Sequence, residues 1–206
     1  MFKEKKWSNR IQLILLFVIF LAPLVGAYYA YMTRDSREYD TVNIGEFYPK
    51  PQDLADIQFT LANPFGEKSE RTFNNLDSKW YLFVVADQDC GQICEKNIEK
   101  IAYVNVVHAR YTGRIVSALV HNGIDENRSE QLVNKYGVST LSTTNQTEFA
   151  EWLTPFYQAR GENAFDAGRI YMVDPLKKLM MSYPADASPL DIYEDMKLLL
   201  KTSRVG

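Results

Sequence analysis

Residues 11–32, IQLILLFVIFLAPLVGAYYAYM, run for 22 positions without a charge, and nothing else in the chain constrains its architecture as strongly. At about 1.5 Å per residue, a helix of that length crosses a bilayer core of about 30 Å. Trp7 precedes the run, and Tyr28, Tyr29 and Tyr31 close it, placed as aromatic belts are at lipid interfaces. Lys3, Lys5, Lys6 and Arg10 lie ahead of it, whereas Arg34 and Arg37 behind it are mixed with Asp35, Glu38 and Asp40. The positive-inside bias therefore predicts a cytoplasmic N-terminus, with everything after Met32 across the membrane. A signal peptide cleaved at Val25-Gly26-Ala27 is the alternative. The apolar run continues past that site, and Pro23 only kinks a span whose neighbours can compensate.

The tail before the span carries a net charge of +3, which leaves −6 for the rest of a chain of net −3. An acidic exported region without a basic patch argues against nucleic acid as a partner. Its environment is oxidising, so a cysteine pair there carries more meaning than in the cytosol.

Beyond the span, residues 33–77 are rich in Asp, Glu, Pro, Asn and Gly, with only short apolar clusters such as Ile57 to Leu61. They read as a stalk and a loosely structured lead-in with one edge strand or hairpin. After Lys79 the pattern sharpens. WYLFVVA (80–86) is a continuous apolar, aromatic and β-branched run, as expected of a strand buried on both faces. From about Gln92 to Arg110, Cys94, Ile98, Ile101 and Ala102 fall on one helical stripe. RIVSALV (114–120) predicts a second buried strand that ends at His121-Asn122-Gly123. QTEFAEWLTPFYQA (146–159) has helical spacing disturbed by Pro155. RIYMVD (169–174) and KKLMMSY (177–183) predict a hairpin turning at Pro175-Leu176, and Ser188-Pro189 opens a last helix. The chain thus divides into a tail (1–10), a span (11–32), a stalk and lead-in (33–77) and an α/β domain (78–206). A strand–helix–strand unit implies parallel pairing, and the terminal hairpin adds an antiparallel edge. This is the thioredoxin layout: a central mixed sheet with flanking helices.

Cys90 and Cys94, the only cysteines, stand at the end of the first core strand and the start of the helix after it. Four residues apart on a helix, two side chains lie on one face with Cβ atoms about 5–6 Å apart. That spacing suits two thiolates gripping one soft ion, and a modest adjustment closes a disulfide. A metal site, a redox couple, a structural disulfide and two unrelated thiols all remain open. A structural disulfide closing so small a loop would add little stability. Cys94 shares the stripe with Ile98 and Ile101 and is expected to be the more buried sulfur. Cys90 is expected at the exposed helix start, where the helix N-terminus lowers a thiol pKa while Asp87 and Asp89 oppose it.

Copper(I) would gain from an imidazole donor beside two thiolates. His108 lies 14 residues beyond Cys94, roughly 21 Å along a helix, and is expected to be a surface or packing residue. His121 ends the second strand on the same sheet edge as the cysteine turn, where open α/β sheets collect ligands. It is the candidate third ligand, with a neutral turn histidine as the alternative. Met180 and Met181 point to opposite faces of their strand.

The anchor, the strand running into CxxxC, and the block YMVDP…LMMSYPADASP…LLLK together resemble membrane-anchored, thioredoxin-like relatives of the Sco/SenC copper chaperones of proteobacteria. The resemblance spans roughly residues 11–204. It implies a thioredoxin fold that delivers copper to a respiratory cytochrome c oxidase subunit bearing a copper site, or reduces the thiols of that site. It also implies Cys90 and Cys94 as redox residues and copper ligands. Two positions depart from the family: Glu95 follows Cys94 where the family has proline, and GENAFDAGR (161–169) holds no histidine where the distant ligand stands. Thioredoxins also place a cis-proline before the third core strand, where this chain has Ala167-Gly168. A non-catalytic assembly or scaffolding subunit with a passive disulfide is the alternative function.

Overall fold

The computed structural model describes residues 9–32, 43–108, 113–158 and 161–203. The basic tail before Asn9, the stalk up to Val42 and the expected extension of the cysteine helix to Arg110 lie outside the described residues. The chain forms two units, divided at Val42.

In the first unit, helix α1 (Asn9–Met32) runs through Pro23 without a break. Its segment Arg10–Ala30 is long and apolar enough to cross a membrane.

The second unit is built on one eight-stranded sheet, β1 (Glu46–Asp53), β2 (Gln58–Ala62), β3 (Lys68–Thr72), β4 (Trp80–Ala86), β5 (Ile115–His121), β6 (Ser139–Ser142), β7 (Ile170–Val173) and β8 (Lys178–Tyr183). The spatial order is β1-β8-β7-β4-β5-β6-β2-β3. β4, β5 and β6 pair in parallel, and every other pair is antiparallel. The helices are α2 (Gln92–Val107), α3 (Glu126–Tyr136), α4 (Gln146–Gln158) and α5 (Pro189–Thr202).

Every residue of β4 is buried because both faces of the strand are covered. Trp80, Leu82, Val84 and Ala86 pack with Ile98, Ile101 and Val104 of α2, Leu132 of α3 and Ile192 and Met196 of α5. Tyr81, Phe83 and Val85 face the opposite core, built around Trp152 of α4 with Phe59, Phe73 and Phe156. The Trp152 ring meets those of Phe59 and Phe73 edge-on at 5.5 Å, a geometry that the aromatic quadrupole favours. His108 ends α2 as a packing residue. Its Nε2 lies 3.1 Å from the Tyr193 carbonyl, which can only accept, and its ring stacks on Tyr193.

Three features differ from the sequence reading. The lead-in supplies an edge strand and a hairpin together, because Phe59 and Phe73 are needed to close the core over Trp152. The β7–β8 hairpin is not an edge: β1 pairs outside β8, with a register shift between Phe47 and Gln52 across Pro49 and Pro51, which lack the N–H a ladder needs. The start of β1 is held by buried Asp195, whose carboxylate accepts from the backbone N–H groups of Ile44 and Gly45 and from the Tyr183 hydroxyl. Gly45 fits only because it lacks a Cβ, which would fall 2.6 Å from the Tyr183 ring. Finally, α3 and β6 lie between the second predicted strand and the helix over 146–159, where the sequence reading places nothing. α3 is a polar helix capped by the Asp125 carboxylate at one end and by left-handed Gly137 at the other.

Candidate functional site

Cys90 and Cys94 form a disulfide with their Cα atoms 5.2 Å apart. It lies where α/β sheets present their ligand sites, just past the carboxyl end of β4. Helix α2 begins at Gln92, where the sequence reading starts it, with Gly91 as its N-cap, so Cys90 lies in the turn before the helix. The outcome reverses the expected order of the sulfurs. Cys90 precedes the helix, turns inward against Ala86 and Ile98, and is only 2% exposed, whereas Cys94, in the first turn, is half-buried. Cys94 is therefore the sulfur that a partner can reach, and the one whose thiolate the helix N-terminus favours.

The surroundings of the pair come from two loops and a neighbouring helix. Gly168, at φ +57°, lies against the first turn of α2, where a Cβ would stand 2.6 Å from Ile93 Cγ2 and 3.4 Å from Ala185 Cβ. Its carbonyl accepts from Asn97 Nδ2 at 2.5 Å, and the Ala185 carbonyl accepts from Lys100 Nζ. Glycine thus occupies the position before the third core strand at which thioredoxins carry proline. Ile93 beside it is more than half exposed and adds an apolar surface next to Cys94. Glu95 is not a vacant substitute for proline. It pairs with Arg128 and accepts from Tyr136 Oη at 3.2 Å and Lys135 Nζ at 3.4 Å. The Arg128 guanidinium, the main cause, holds its carboxyl below the usual range. These contacts fasten the cysteine helix to α3.

His121 stands where the sequence places it, at the end of β5, with its backbone paired to Ala86. Its ring is 3% exposed, with Nε2 3.3 Å from Ser129 Oγ of α3. Burial pushes its pKa down to about 4, so the imidazole is neutral at pH 7. It lines a cavity of about 490 Å³ together with Ser129, Thr140, Thr143 and Lys68, the last paired with Glu126 and Glu130. Neither cysteine lines that cavity. Among the described residues, no three of His, Cys, Asp and Glu are grouped so as to hold a metal ion. The structure brings Cys90 and Cys94 together and ties His121 to α3. Met181 is core and Met180 half-buried.

Sequence reasoning missed Asn97 and its bond to Gly168, the packing of Gly168 on Ile93, and the Glu95–Arg128 link. One signal was available: Asn97 is a polar residue three positions after Cys94, between the apolar stripe residues of α2.

Residues 80–203 match the family described as a transmembrane-like, thioredoxin-like, C-terminal domain. Among solved structures, the chain is similar to Arabidopsis thaliana ScoI with copper bound, at 12% identity and a TM-score of 0.55, over 74% of this chain and 100% of that one. It is also similar to BsSco, described with a disulfide switch as a member of the Sco family of cytochrome c oxidase assembly proteins (14% identity, TM-score 0.53, covering 75% and 98%). A third is a candidate protein disulfide isomerase of Bacteroides thetaiotaomicron (14% identity, TM-score 0.52, covering 78% and 95%). These likenesses establish the thioredoxin-like fold. No curated protein matches the chain in sequence.

Proposed function

The chain belongs to the family of transmembrane-like, thioredoxin-like C-terminal domains, and on that premise we propose that it assists assembly of a respiratory cytochrome c oxidase. In this reading α1 anchors it in the inner membrane, with the basic N-terminus in the cytoplasm and the thioredoxin-like unit in the periplasm. The Cys90/Cys94 couple works on an oxidase subunit that bears a copper site, by thiol–disulfide exchange and copper(I) handling. The observation that carries the reading is the disulfide at the carboxyl edge of the parallel strands, with Cys94 alone accessible in the first turn of α2.

The dithiol form acts as a reductant. The Cys94 thiolate attacks a partner disulfide, forming a mixed disulfide and releasing one partner thiolate, which takes a proton. The sheltered Cys90 thiolate then attacks Cys94 Sγ, closing the intramolecular disulfide and releasing the second partner thiol. Two electrons and two protons pass to the partner, and an external dithiol donor must restore the chain. The same two thiolates are soft donors suited to copper(I).

The rival reading, a scaffolding subunit with a passive disulfide, draws on the burial of Cys90. Equilibration of the purified periplasmic unit with dithiothreitol, followed by alkylation, separates the two. Exchange requires both thiols to become available after mild reduction and to reoxidise with a disulfide substrate, with Cys94→Ser losing all exchange. A pair that stays oxidised leaves only the scaffold. Copper(I) titration of the reduced protein is expected to show one equivalent bound, lost in both Cys90→Ser and Cys94→Ser.

A further inference from the structure

Asn97 is 1% exposed, and its two polar ends have unequal fates. Nδ2 donates to the Gly168 carbonyl at 2.5 Å, whereas Oδ1 is fully buried with no partner. The assignment of the two ends follows from chemistry, because a carbonyl can only accept and the nitrogen must face it. A buried acceptor left unpaired is costly, so its persistence calls for a reason.

The position of Asn97 supplies one. On α2 it lies four residues after Ile93 and three after Cys94, and side chains on a helix lean toward its N-terminus, so Asn97 reaches back to that turn. Ile93 and Cys94 sit on opposite flanks of that reach. Gly168, packed on Ile93, takes the amide nitrogen on one flank. With the nitrogen committed to Gly168, Oδ1 is the end that remains available to the flank of Cys94.

We propose that Asn97 is a redox-responsive hydrogen-bond partner of the cysteine pair, its Oδ1 accepting from the Cys94 thiol in the dithiol form. This rests on the exchange reading above. A disulfide sulfur carries no proton, so the oxidised form leaves Oδ1 unpaired. Reduction by an external dithiol breaks the S–S bond, adds two electrons and two protons to the sulfurs, and oxidises the dithiol to its own disulfide. One of the new S–H groups satisfies Oδ1. The bond exists in only one redox state, so Asn97 stabilises the dithiol over the disulfide, raises the reduction potential of the pair and tempers it as a reductant. It is a positioning residue for the sulfurs and takes no part in the exchange itself.

The test is the equilibrium of the Cys90–Cys94 pair with a glutathione buffer at pH 7, read by alkylation and mass. Asn97→Leu removes the acceptor and is expected to shift the equilibrium three- to tenfold toward the disulfide, tenfold being about 30 mV for a two-electron couple. Asn97→Asp keeps an acceptor and is expected to stay at or above the wild-type potential. Loss of packing or of the Gly168 bond weakens both redox forms alike and leaves the potential unmoved, so equal potentials in wild type and Asn97→Leu overturn the proposal. Should Asn97→Leu not fold, the S–H Raman band of the reduced wild type decides. One thiol is expected at lower frequency than the other, and its shift should vanish in Cys94→Ser; two unshifted thiols overturn the proposal. A disulfide that never equilibrates with glutathione overturns the exchange reading and this proposal with it, whereas equilibration at identical potentials overturns this proposal alone.

Discussion

The cysteine turn and the His121 cavity lie at neighbouring strand ends of one parallel pair, β4 and β5, and they are made of opposite materials. Past β4 the chain turns back on apolar neighbours, buries Cys90 and leaves Cys94 in a first helical turn that no side chain caps. Past β5 a neutral imidazole is enclosed beside hydroxyls and an ion-paired lysine, under a helix with little apolar surface. Strand register brought the two backbones together, and the element packed over each end decided what the side chains could do. His121 is paired to Ala86 through the backbone, yet its ring is held by Ser129 of α3. Adjacency on a sheet edge is a necessary condition for a shared site and falls short of a sufficient one.

If the His121 cavity is a structural unit in its own right, acid should act on it while the disulfide stays intact. The folded-state pKa of His121, about 4, lies below the ordinary value of 6.5. The unfolded chain therefore binds more protons between those values, and stability falls as pH drops through that window. The full effect is on the order of 3 kcal/mol. Burial likewise lowers the pKa of His108, so the fair comparison is wild type against His121→Asn, in which His108 contributes equally. Urea unfolding at pH 7 and pH 4.5 is expected to show the wild type losing roughly 2 kcal/mol more than the variant. Equal losses would mean that the ring is solvated and that the two regions are less distinct than described.

The cysteine turn has its own contrast, between its two sulfurs. After mild reduction Cys94 is expected to be alkylated at least about tenfold faster than Cys90, because it is both more exposed and closer to the helix N-terminus. Iodoacetamide labelling followed by peptide mass analysis measures both rates in one sample. A faster Cys90 would restore the sequence-based order and require the turn before Gly91 to open outward once the disulfide is reduced.

That order failed for a local reason. The stripe Cys94–Ile98–Ile101 correctly oriented α2 and the helix starts where it was expected, but periodicity says nothing of the turn before Gly91, and that turn buries Cys90 in the core. The apolar runs of β4, β5, β7 and β8 and the Ser188 cap of α5 were legible because burial on two faces demands a dense apolar sequence. α3 was not. Leu132 and Val133 are its only buried apolar residues, and β6 is four residues long, so periodicity had little to register. Asp125 and Gly137 were the readable signs, as a cap at each end. Missing α3 mattered for function, because that helix supplies Ser129 to His121 and Arg128 to Glu95. In the lead-in, Phe59 and Phe73 become strand-and-turn anchors only once Trp152 is placed against them, a pairing that no local pattern announces.

The smallest effect is the sharpest probe of the comparison. Sequence reasoning nominates His121 as a third copper(I) donor, which requires its ring to leave Ser129 and reach two thiolates outside its cavity. With the ring buried, neutral and hydrogen-bonded, and no three-residue metal cluster among the described residues, His121→Ala is expected to leave copper(I) affinity of the reduced protein within about threefold of wild type, well under the roughly 1.4 kcal/mol of a tenfold change. Competition with a chromogenic copper(I) chelator gives that number directly. Ser129→Ala is the companion measurement, since it frees the ring without removing it. Unchanged affinity in both variants leaves copper to the cysteine pair alone. A tenfold loss in His121→Ala, together with a gain in Ser129→Ala, would show that opening the disulfide merges the two regions, with α3 acting as the latch between them.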